Sequence, residues 1–344
     1  MKDKYCDIYK GKVILVTGGA GAIGTNLCTK LADSGAKMVV MLDDLSSGYT
    51  WNIPKRKNIM FVKGCITDDV YLKRVFFERP TYVYHLAAFF ANQNSVDYPE
   101  KDMQVNGMGT LKLLEYSLFN RVSRFVYASS GCSIYGSQAP LPLKEDFMSM
   151  NLSTPYQITK MLGELYCNFF KNHYELNVIK ARFFNSYGPG EVPGQYRNVI
   201  PNFIYWAMKG EPLPITGTGE ETRDFTYVAD LIDGLLRACY YESAIGQEFN
   251  IASGEETTII DLANMINEIV GNKAGISFAQ RRKWDTKSRL LASLDRAKSL
   301  IGYEPKTKFK EGLTNTIQWF KDNWGNIESS ASFGPGISSA VRDK

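Results

Sequence analysis

The sequence of 344 residues has few of the side chains that build metal centres and disulfide frameworks. It contains only two histidines, and none of its six cysteines forms a C-x-x-C pair. We therefore expect neither a metal site nor a disulfide framework, and the scattered cysteines favour a reducing cytoplasm. With so few histidines a Ser-His-Asp triad is not expected, and His85, at the end of an apolar run, is predicted to be a packed residue.

The chain also lacks long apolar runs and concentrated charge. Its apolar stretches are far too short to span a membrane, and residues 1–4 are charged where a signal peptide would be apolar. The net charge of +4 is spread along the chain, so neither a membrane nor a nucleic-acid partner is expected. The length suits one α/β nucleotide-binding domain with a smaller lobe.

A glycine-rich turn lies between a predicted strand at residues 13–17 and a predicted helix at residues 22–34. Gly18 allows a tight turn, Gly21 lets a pyrophosphate approach the backbone, and Gly24 lets the helix pack on the strand. The first N–H groups of the helix would face the phosphates. This order predicts a dinucleotide site. The residues assigned to the dinucleotide at this turn are Gly18, Gly21, Ala22, Ile23 and Gly24.

A second predicted strand, residues 38–42, ends in Asp43 and Asp44. A carboxylate about 20 residues past the glycines is placed to bind the adenosine ribose hydroxyls, and we assign Asp43 to that role with Asp44 beside it. The carboxylate would repel a 2′-phosphate, so NAD is favoured over NADP. The alternative is that both residues only begin a solvated loop.

Tyr156 and Lys160 are four residues apart in a predicted helix over 155–174, so they share a face. A free tyrosine ionises near pH 10, and a neighbouring ammonium together with a positive nicotinamide ring would lower that pKa. Tyr156 could then remove a proton from a substrate hydroxyl. The alternative, an ordinary exposed tyrosine and lysine, is disfavoured by the cofactor turn upstream.

The glycine spacing, T-G-x-x-G-x-x-G, is accompanied by further motifs that are typical of one family. The chain resembles the extended short-chain dehydrogenase/reductase family over about residues 11 to 325. Within that family it is similar to the nucleotide-sugar epimerase/dehydratase group, closest to the UDP-glucose and UDP-glucuronate 4-epimerases. The matching stretches are residues 42–48, 85–88, 106–110, 135–136, 182–189 and 223–230.

The resemblance implies a Rossmann-type doubly wound parallel sheet with a smaller C-terminal α/β substrate lobe. We expect residues 11–184 to form mainly the NAD domain and residues 185–325 mainly the substrate lobe, with returns to the main sheet. Residues 326–344, rich in Ser, Gly and Ala, are predicted to be a loose tail. Helices 99–120 and 155–174 carry apolar residues beyond one stripe, and in the family the equivalent helices form a homodimer interface. The other predicted strands are residues 59–63, 82–86, 124–128 and 178–183, with a further helix at 68–77.

The resemblance also extends the set of NAD-binding candidates. Many relatives have Asp-Ile where this chain has Cys65 and Ile66. Cysteine is a weak hydrogen-bonding partner, so the adenine contact is expected to be looser or to be made by the backbone. Lys160 would hold the nicotinamide ribose. The further cofactor candidates are Ser47, Gly48, Cys65, Ile66, Leu86, Ala87 and Ala88.

Candidates for binding the nucleotide sugar come mainly from the second half of the chain. Asn185 follows an apolar run that reads as a strand, and by resemblance it contacts the diphosphate. Guanidinium groups suit phosphates, which makes arginines in this half candidates too. By resemblance, the loop after residue 88 approaches the sugar and the segment from residue 199 flanks the base. The remaining candidates are Gln93, Ser95, Val199, Arg223, Arg282 and Arg289.

The chain departs from the family at Gly131, where a Ser or Thr usually hydrogen-bonds the reacting hydroxyl. Ser130 is our first choice for that role and therefore also contacts the substrate; Ser133 or a water is the alternative. Related dehydratases carry an Asp-Glu pair, and decarboxylases a Glu, where this chain has Cys132 and Ser133. The missing carboxylates favour a reaction that needs only oxidation, rotation of the sugar and re-reduction.

The sequence thus predicts an NAD-dependent 4-epimerase acting on a UDP-hexose or UDP-hexuronate. The alternatives are another NAD-dependent enzyme acting on nucleotide sugars, either a dehydratase, a decarboxylase or a reductase. A non-catalytic NAD-binding protein is less favoured, because such proteins commonly lose the tyrosine or the lysine.

Overall fold

The computed structural model describes residues 4–281, 285 and 287–333. Its centre is a sheet of seven parallel strands in the order β3-β2-β1-β4-β5-β6-β9. This is the doubly wound arrangement that the sequence predicts, and the fold class is confirmed. The strands of this sheet are β1 Val13–Thr17, β2 Met38–Asp43, β3 Ile59–Lys63, β4 Tyr82–His85, β5 Arg124–Ser130, β6 Val178–Phe183 and β9 Glu248–Ile251.

The predicted helices form, and the one expected over residues 99–120 consists of three consecutive segments. A short α-helix is followed by a π-helical turn at Met103–Met108 and then by a second α-helix. The helices are α1 Ala22–Asp33, α2 Asp69–Phe76, α3 Asn92–Asp97, α4 Pro99–Asp102, α5 Gly109–Phe119, α6 Gly131–Ile134, α7 Pro155–Tyr174, α8 Val199–Met208, α9 Val228–Tyr240, α10 Ile259–Val270, α11 Asp295–Ile301, α12 Phe309–Asp322 and α13 Trp324–Ser330.

Helices cover both faces of the sheet, which explains why its strands are apolar on both sides. Helices α1 and α9 pack with the strands into one buried apolar cluster, and α2, α5 and α7 form a second cluster on the opposite face. His85, at the end of β4, is buried between the hydroxyls of Thr17 and Thr110, at 2.8 and 2.9 Å. Burial lowers its pKa to about 3, so it is a neutral packed residue.

The C-terminal half adds a smaller α/β unit around a third apolar cluster. Helices α8, α10, α12 and α13 contribute to this cluster. The chain also returns to the main sheet in this half, because β9 extends the sheet beyond β6 and α9 packs on its face. The short strands here are β7 Leu213–Thr216, β8 Thr222–Arg223, β10 Thr257–Thr258 and β11 Ile276–Ala279; β7 pairs with β11, and β8 with β10.

The loose tail predicted from residue 326 is wrong for residues 326–333. Residues 324–330 form helix α13, and Ser332 forms a β-bridge with Gly194. Aromatic packing outweighs the Ser- and Gly-rich composition, since Phe333 lies 4.5 Å from Trp206 between ring centroids. Residues 334–344 lie outside the described residues.

None of the helices in the described part of the chain is long and apolar enough to cross a membrane.

Candidate active site

The strand order reverses between β1 and β4, and the functional cavity opens at the carboxyl ends of these strands. The turn after β1 meets the turn after β4 there. A Cβ at Gly18 would lie only 2.6 Å from the backbone nitrogen of Ala87. The cavity encloses about 480 Å³ and continues past α7 into the C-terminal unit. Every residue that the sequence assigns to the cofactor lines it.

The glycine turn has the shape that a dinucleotide phosphate needs. Gly18 has a φ of +68°, which favours glycine. A Cβ at Gly24 would lie 2.2 Å from the Gly18 carbonyl oxygen, so only glycine lets α1 pack this closely. A Cβ at Gly21 would meet nothing nearer than 3.4 Å, and this position faces the cavity. The turn therefore leaves room for a phosphate at the N-terminus of α1.

Asp43 ends β2 with its carboxylate already oriented by the backbone. It accepts hydrogen bonds from the N–H groups of Ala20 at 3.0 Å and Leu45 at 2.8 Å. Burial raises the pKa of Asp43, and these two donors together with the charge of Arg197 counteract the rise. Asp44, which also lines the cavity, accepts a hydrogen bond from the N–H of Ser46 at 2.8 Å.

Cys65 lines the adenine side of the expected cofactor site, as does Ile66. The Cys65 thiol lies 3.1 Å from the hydroxyl of Thr67, so its polar contact is within its own loop.

Tyr156 and Lys160 lie on the first turns of α7, whose start is tightly specified. Thr154 caps the helix by accepting a hydrogen bond from the N–H of Gln157, and Pro155 occupies the first helical position. The Gln157 side chain accepts in return from the N–H of Ser153 at 2.8 Å, which completes a capping box shifted by one residue. This rigid start holds both side chains against the cavity.

The hydroxyl of Ser130, at the end of β5, lies close enough to the Tyr156 phenol to lower its pKa. The Ser130 hydroxyl also bonds to that of Ser133, at 2.9 Å. Burial raises the pKa of Tyr156, as do the nearby Asp102 and Cys132, and Ser130 acts in the opposite direction. Without bound NAD the phenol is therefore protonated.

Lys160 is a buried cation held behind the tyrosine ring. Its Nζ donates a hydrogen bond to the carbonyl of Ala128 at 2.8 Å and lies 5.6 Å from the centroid of the Tyr156 ring. Burial lowers the pKa of Lys160 to about 8, and the carboxylate of Asp102 opposes this shift. Asp102 is itself fully buried and accepts hydrogen bonds from Asn106 and Thr159.

The chain has no room for a hydroxyl-bearing side chain at position 131. A Cβ on Gly131 would lie 1.9 Å from Cε2 of the buried Phe184 ring. The family's usual Ser or Thr is thus sterically excluded, and Ser130 is the hydroxyl that the structure brings to Tyr156.

The sugar-nucleotide side of the cavity is lined by several of the predicted residues. Asn185 follows β6, and its side-chain oxygen accepts a hydrogen bond from the Cys132 thiol at 2.6 Å. Arg223 pairs with Asp285, with 3.2 Å between nitrogen and oxygen. Gln93 and Val199 also line the cavity.

Two predicted substrate residues do not line the cavity. Ser95 is fully buried and supports α7 instead, because its hydroxyl oxygen accepts a hydrogen bond from the N–H of Tyr156 at 3.1 Å. Arg289 points outward and pairs with Glu256. Both side chains, Ser95 and Arg289, are directed toward a partner distant in sequence, Tyr156 and Glu256 respectively. Arg282 lies outside the described residues.

Several charged residues that the sequence analysis missed line the cavity, among them Lys287, Arg197 and Glu191. Lys287 hydrogen-bonds the main-chain carbonyl of Cys132, and Arg197 hydrogen-bonds that of Ser47. Glu191 is buried, which raises its pKa to about 7. In the sequence, Lys287 lies between the candidates Arg282 and Arg289, so a search for every cation in that stretch would have found it.

The family model for the NAD-dependent epimerase/dehydratase family matches residues 14–252. The chain belongs to this family. The resemblance found in the sequence is confirmed, and the cofactor is NAD. The glycine turn and the Asp43 carboxylate fit this cofactor, as described above.

Similar proteins cover almost the whole chain. A UDP-glucose 4-epimerase of Mycolicibacterium smegmatis is 35% identical over 90% of this chain and 98% of its own. The solved epimerase Mth375 of Methanothermobacter thermautotrophicus is 56% identical, with a TM-score of 0.95 over 96% of this chain and 98% of that one. The enzyme WbmF of Bordetella bronchiseptica, solved with NAD+ and UDP, is 36% identical, with a TM-score of 0.82 over 94% and 96% of the two chains.

Proposed function

We propose that this protein is a nucleotide-sugar 4-epimerase that acts on a UDP-hexose or UDP-hexuronate. The observation that carries the proposal is the grouping of Tyr156, Lys160 and Ser130 at one point of the cavity, next to Cys132 and Ser133. The group provides a proton-transfer side chain and a cation, whereas positions 132 and 133 provide no carboxylate. The relatives named above support the same reaction.

Tyr156 would remove the proton from the C4 hydroxyl of the sugar, which then becomes a 4-keto group. Bound NAD would supply the hydride acceptor and donor for C4 and a positive charge beside the tyrosine. The buried phenol needs positive charge to ionise, since burial raises its pKa. Lys160 lies close enough to contribute, and it would also bind the nicotinamide ribose.

Ser130 would orient the reacting hydroxyl. Its hydroxyl lies close enough to Tyr156 to lower the tyrosine's pKa and bonds that of Ser133, so it would lie beside the sugar hydroxyl that Tyr156 deprotonates. Rotation of the 4-keto sugar in the cavity then presents its other face to the returning hydride.

A dehydratase or decarboxylase remains a weaker candidate. Water elimination needs an acid and a base next to the keto group, and this chain offers a thiol and a hydroxyl there. Burial raises the pKa of Cys132, so the thiol stays neutral and donates to Asn185. The Asp43 carboxylate disfavours a reductase that consumes NADPH. A non-catalytic role is disfavoured because Tyr156 and Lys160 are both in place.

We also propose that NAD stays bound between turnovers. The cover segment, residues 188–198, crosses the N-terminus of α1 from the C-terminal half. The side chain of Asn26 donates to the carbonyl of Pro189 at 2.7 Å, and that of Asn52 donates to Gly190 at 3.0 Å. Arg197, which also belongs to the cover segment, donates a hydrogen bond to the carbonyl of Ser47. A cofactor under this segment would leave only after these bonds break.

A homodimer is the proposed assembly, and the cytoplasm the proposed location. Apolar side chains on α7 and in the π-helical turn at Met103–Met108 are exposed in the single chain, which supports pairing of these helices. The six cysteines are all unpaired, as a reducing compartment would keep them.

The mechanism is tested with the Tyr156→Phe variant. We expect kcat for 4-epimerisation of UDP-sugars to fall about 10²–10⁴-fold, because a proton-transfer group is lost while the ring still packs. Products would be followed by NMR for UDP-glucose, UDP-N-acetylglucosamine and UDP-glucuronate, without added reductant. Tyr240→Phe, which removes a hydroxyl outside the cavity lining, is the matched control.

Near-normal turnover by Tyr156→Phe would show that another group moves the proton. A product other than a 4-epimer would favour the dehydratase or decarboxylase, and turnover that requires added NADH or NADPH would favour the reductase.

A further inference from the structure

Lys287 places an ammonium group on the wall of the cavity, close to the reacting end. Its Nζ donates a hydrogen bond to the main-chain carbonyl of Cys132. Cys132 lies in α6, which begins directly after Ser130 and packs against α7, the helix that carries Tyr156. Lys287, Cys132 and Tyr156 all line the same cavity. A substrate whose C4 hydroxyl meets Tyr156 therefore has a cation beside the same part of its ring.

The main chain of Lys287 is fixed by two guanidinium groups. Its carbonyl accepts hydrogen bonds from Arg281 at 2.9 Å and from Arg223 at 3.3 Å. Both arginines are paired in turn, Arg223 with Asp285 and Arg281 with Glu221. The lysine is thus held in place by residues whose own charges are compensated.

The ammonium group itself forms no ion pair with a carboxylate in the described part of the chain. Its hydrogen bond goes to a neutral carbonyl, and Asp285, an acid that raises its pKa, is paired with Arg223. Burial lowers the pKa of Lys287 to about 8, as is usual for a cation with too little compensation. Asp224, near Cys132, is occupied by the backbone N–H groups of Ser253 and Gly254. An anion from the substrate would supply the missing charge.

Two anionic groups of a nucleotide sugar could meet this cation: the diphosphate, or a carboxylate on the sugar. In a pyranose the diphosphate at C1 lies across the ring from C4, whereas C6 is attached to C5, next to C4. The cation bonds the carbonyl of Cys132, which follows Ser130 by two residues, and Ser130 is the hydroxyl that we place beside the C4 group. A group at C6 is therefore the better match than the diphosphate.

We propose that Lys287 binds a carboxylate at C6 of the sugar, so that the substrate is a UDP-hexuronate and not a neutral UDP-hexose. This assignment rests on the proposed function for the sugar's orientation. Lys287 acts as a specificity residue, and proton transfer stays with Tyr156.

The test compares sugars that differ only at C6. Calorimetry would measure binding of UDP-glucose against UDP-glucuronate, and of UDP-N-acetylglucosamine against its uronate, to the full-length protein with NAD bound. We expect the wild type to bind the acid of each pair more tightly. Lys287→Met should weaken binding of the acid by about 30-fold or more and leave the neutral sugar and free UDP nearly unchanged. Lys287→Gln is the second variant, and the exposed Lys310→Met is the matched control.

Equal weakening for both members of a pair and for free UDP would overturn the proposal and assign Lys287 to the diphosphate. A wild type that does not prefer the acid would overturn it as well, without any variant. Because binding is measured, failure of the proposed epimerisation is distinguishable: the preference for the acid and its loss in Lys287→Met would persist even if no 4-epimer formed.

Discussion

The ring of Phe184 lies against the main chain of Gly131, and this contact changes which residue can supply a hydroxyl to the active site. The ring is fully buried after β6, and the space where a side chain at 131 would begin is already filled. Ser130, one residue earlier, is the N-cap of α6 and lies close enough to Tyr156 to lower its pKa. The unusual glycine is thus a packing requirement, and the chain retains a hydroxyl beside the tyrosine.

Replacing this glycine tests the packing explanation. Gly131→Ser should destabilise the fold by about 1–3 kcal/mol, because the new Cβ would overlap the Phe184 ring and force it to move. Thermal unfolding at equal NAD content would measure the loss. Gly325→Ser on α13 is the control, since a Cβ there meets nothing within 4 Å. An unchanged melting temperature for Gly131→Ser would mean that the space around 131 adapts freely.

At the scale of elements, helix α13 and the three residues after it connect two parts of the cofactor site. We name residues 324–333 the C-terminal strap. Ser332 pairs with Gly194 in the cover segment, and its carbonyl accepts from the N–H of Gln195 at 2.9 Å. Ser330 bonds the indole nitrogen of Trp51, in the turn that follows the glycine at position 48. The strap therefore ties the cover segment to the loop on the other side of the cofactor.

Truncation should reveal this connection. A chain ending at residue 323 lacks the strap, so we expect NAD to dissociate at least about tenfold faster, the equivalent of 1.4 kcal/mol. The measurement is the NAD retained by the purified protein over time in cofactor-free buffer. A chain ending at residue 333 keeps every described strap contact and is the matched control. Equal retention by both truncated chains would show that the cover segment holds the cofactor without the strap.

The elements around the cofactor follow from local sequence, but the directions of single side chains do not. β-Branched runs and the glycine spacing are enough to predict β1, β2, α1 and the position of Asp43, since each depends on neighbours in the chain. Ser95, by contrast, turns inward because the N–H of Tyr156 needs an acceptor.

Contacts distant in sequence account for the other differences. Arg289 turns outward because Glu256 is near, and the strap forms because aromatic residues from α8 meet it. Two arginines donate hydrogen bonds to the carbonyl of Lys287 and so fix its main chain where the side chain reaches the cavity. One sequence does not encode such pairings in a readable local pattern.

At the scale of the whole molecule, one apolar surface of the single chain is left open to solvent on α7. Ile158, Leu165 and Phe169 are each about half exposed, and their spacing places them on one face of the helix. Met103 and Met108, in the π-helical turn that contacts α7, are similarly exposed. A twofold axis through this surface would pack α7 and its neighbour against the same helices of a second copy.

A charge in this surface should separate the two copies. The wild type is expected at twice the chain mass of 38.7 kDa in light scattering, and Leu165→Glu at the monomer mass, because the twofold axis would bury two like charges. Phe77→Glu is the control, since Phe77 is an exposed apolar residue outside this surface, next to the C-terminus of α2. If Phe77→Glu dissociated the dimer and Leu165→Glu did not, the interface would lie at α2 instead. A wild type at 38.7 kDa would rule out the dimer and leave this apolar face for another partner.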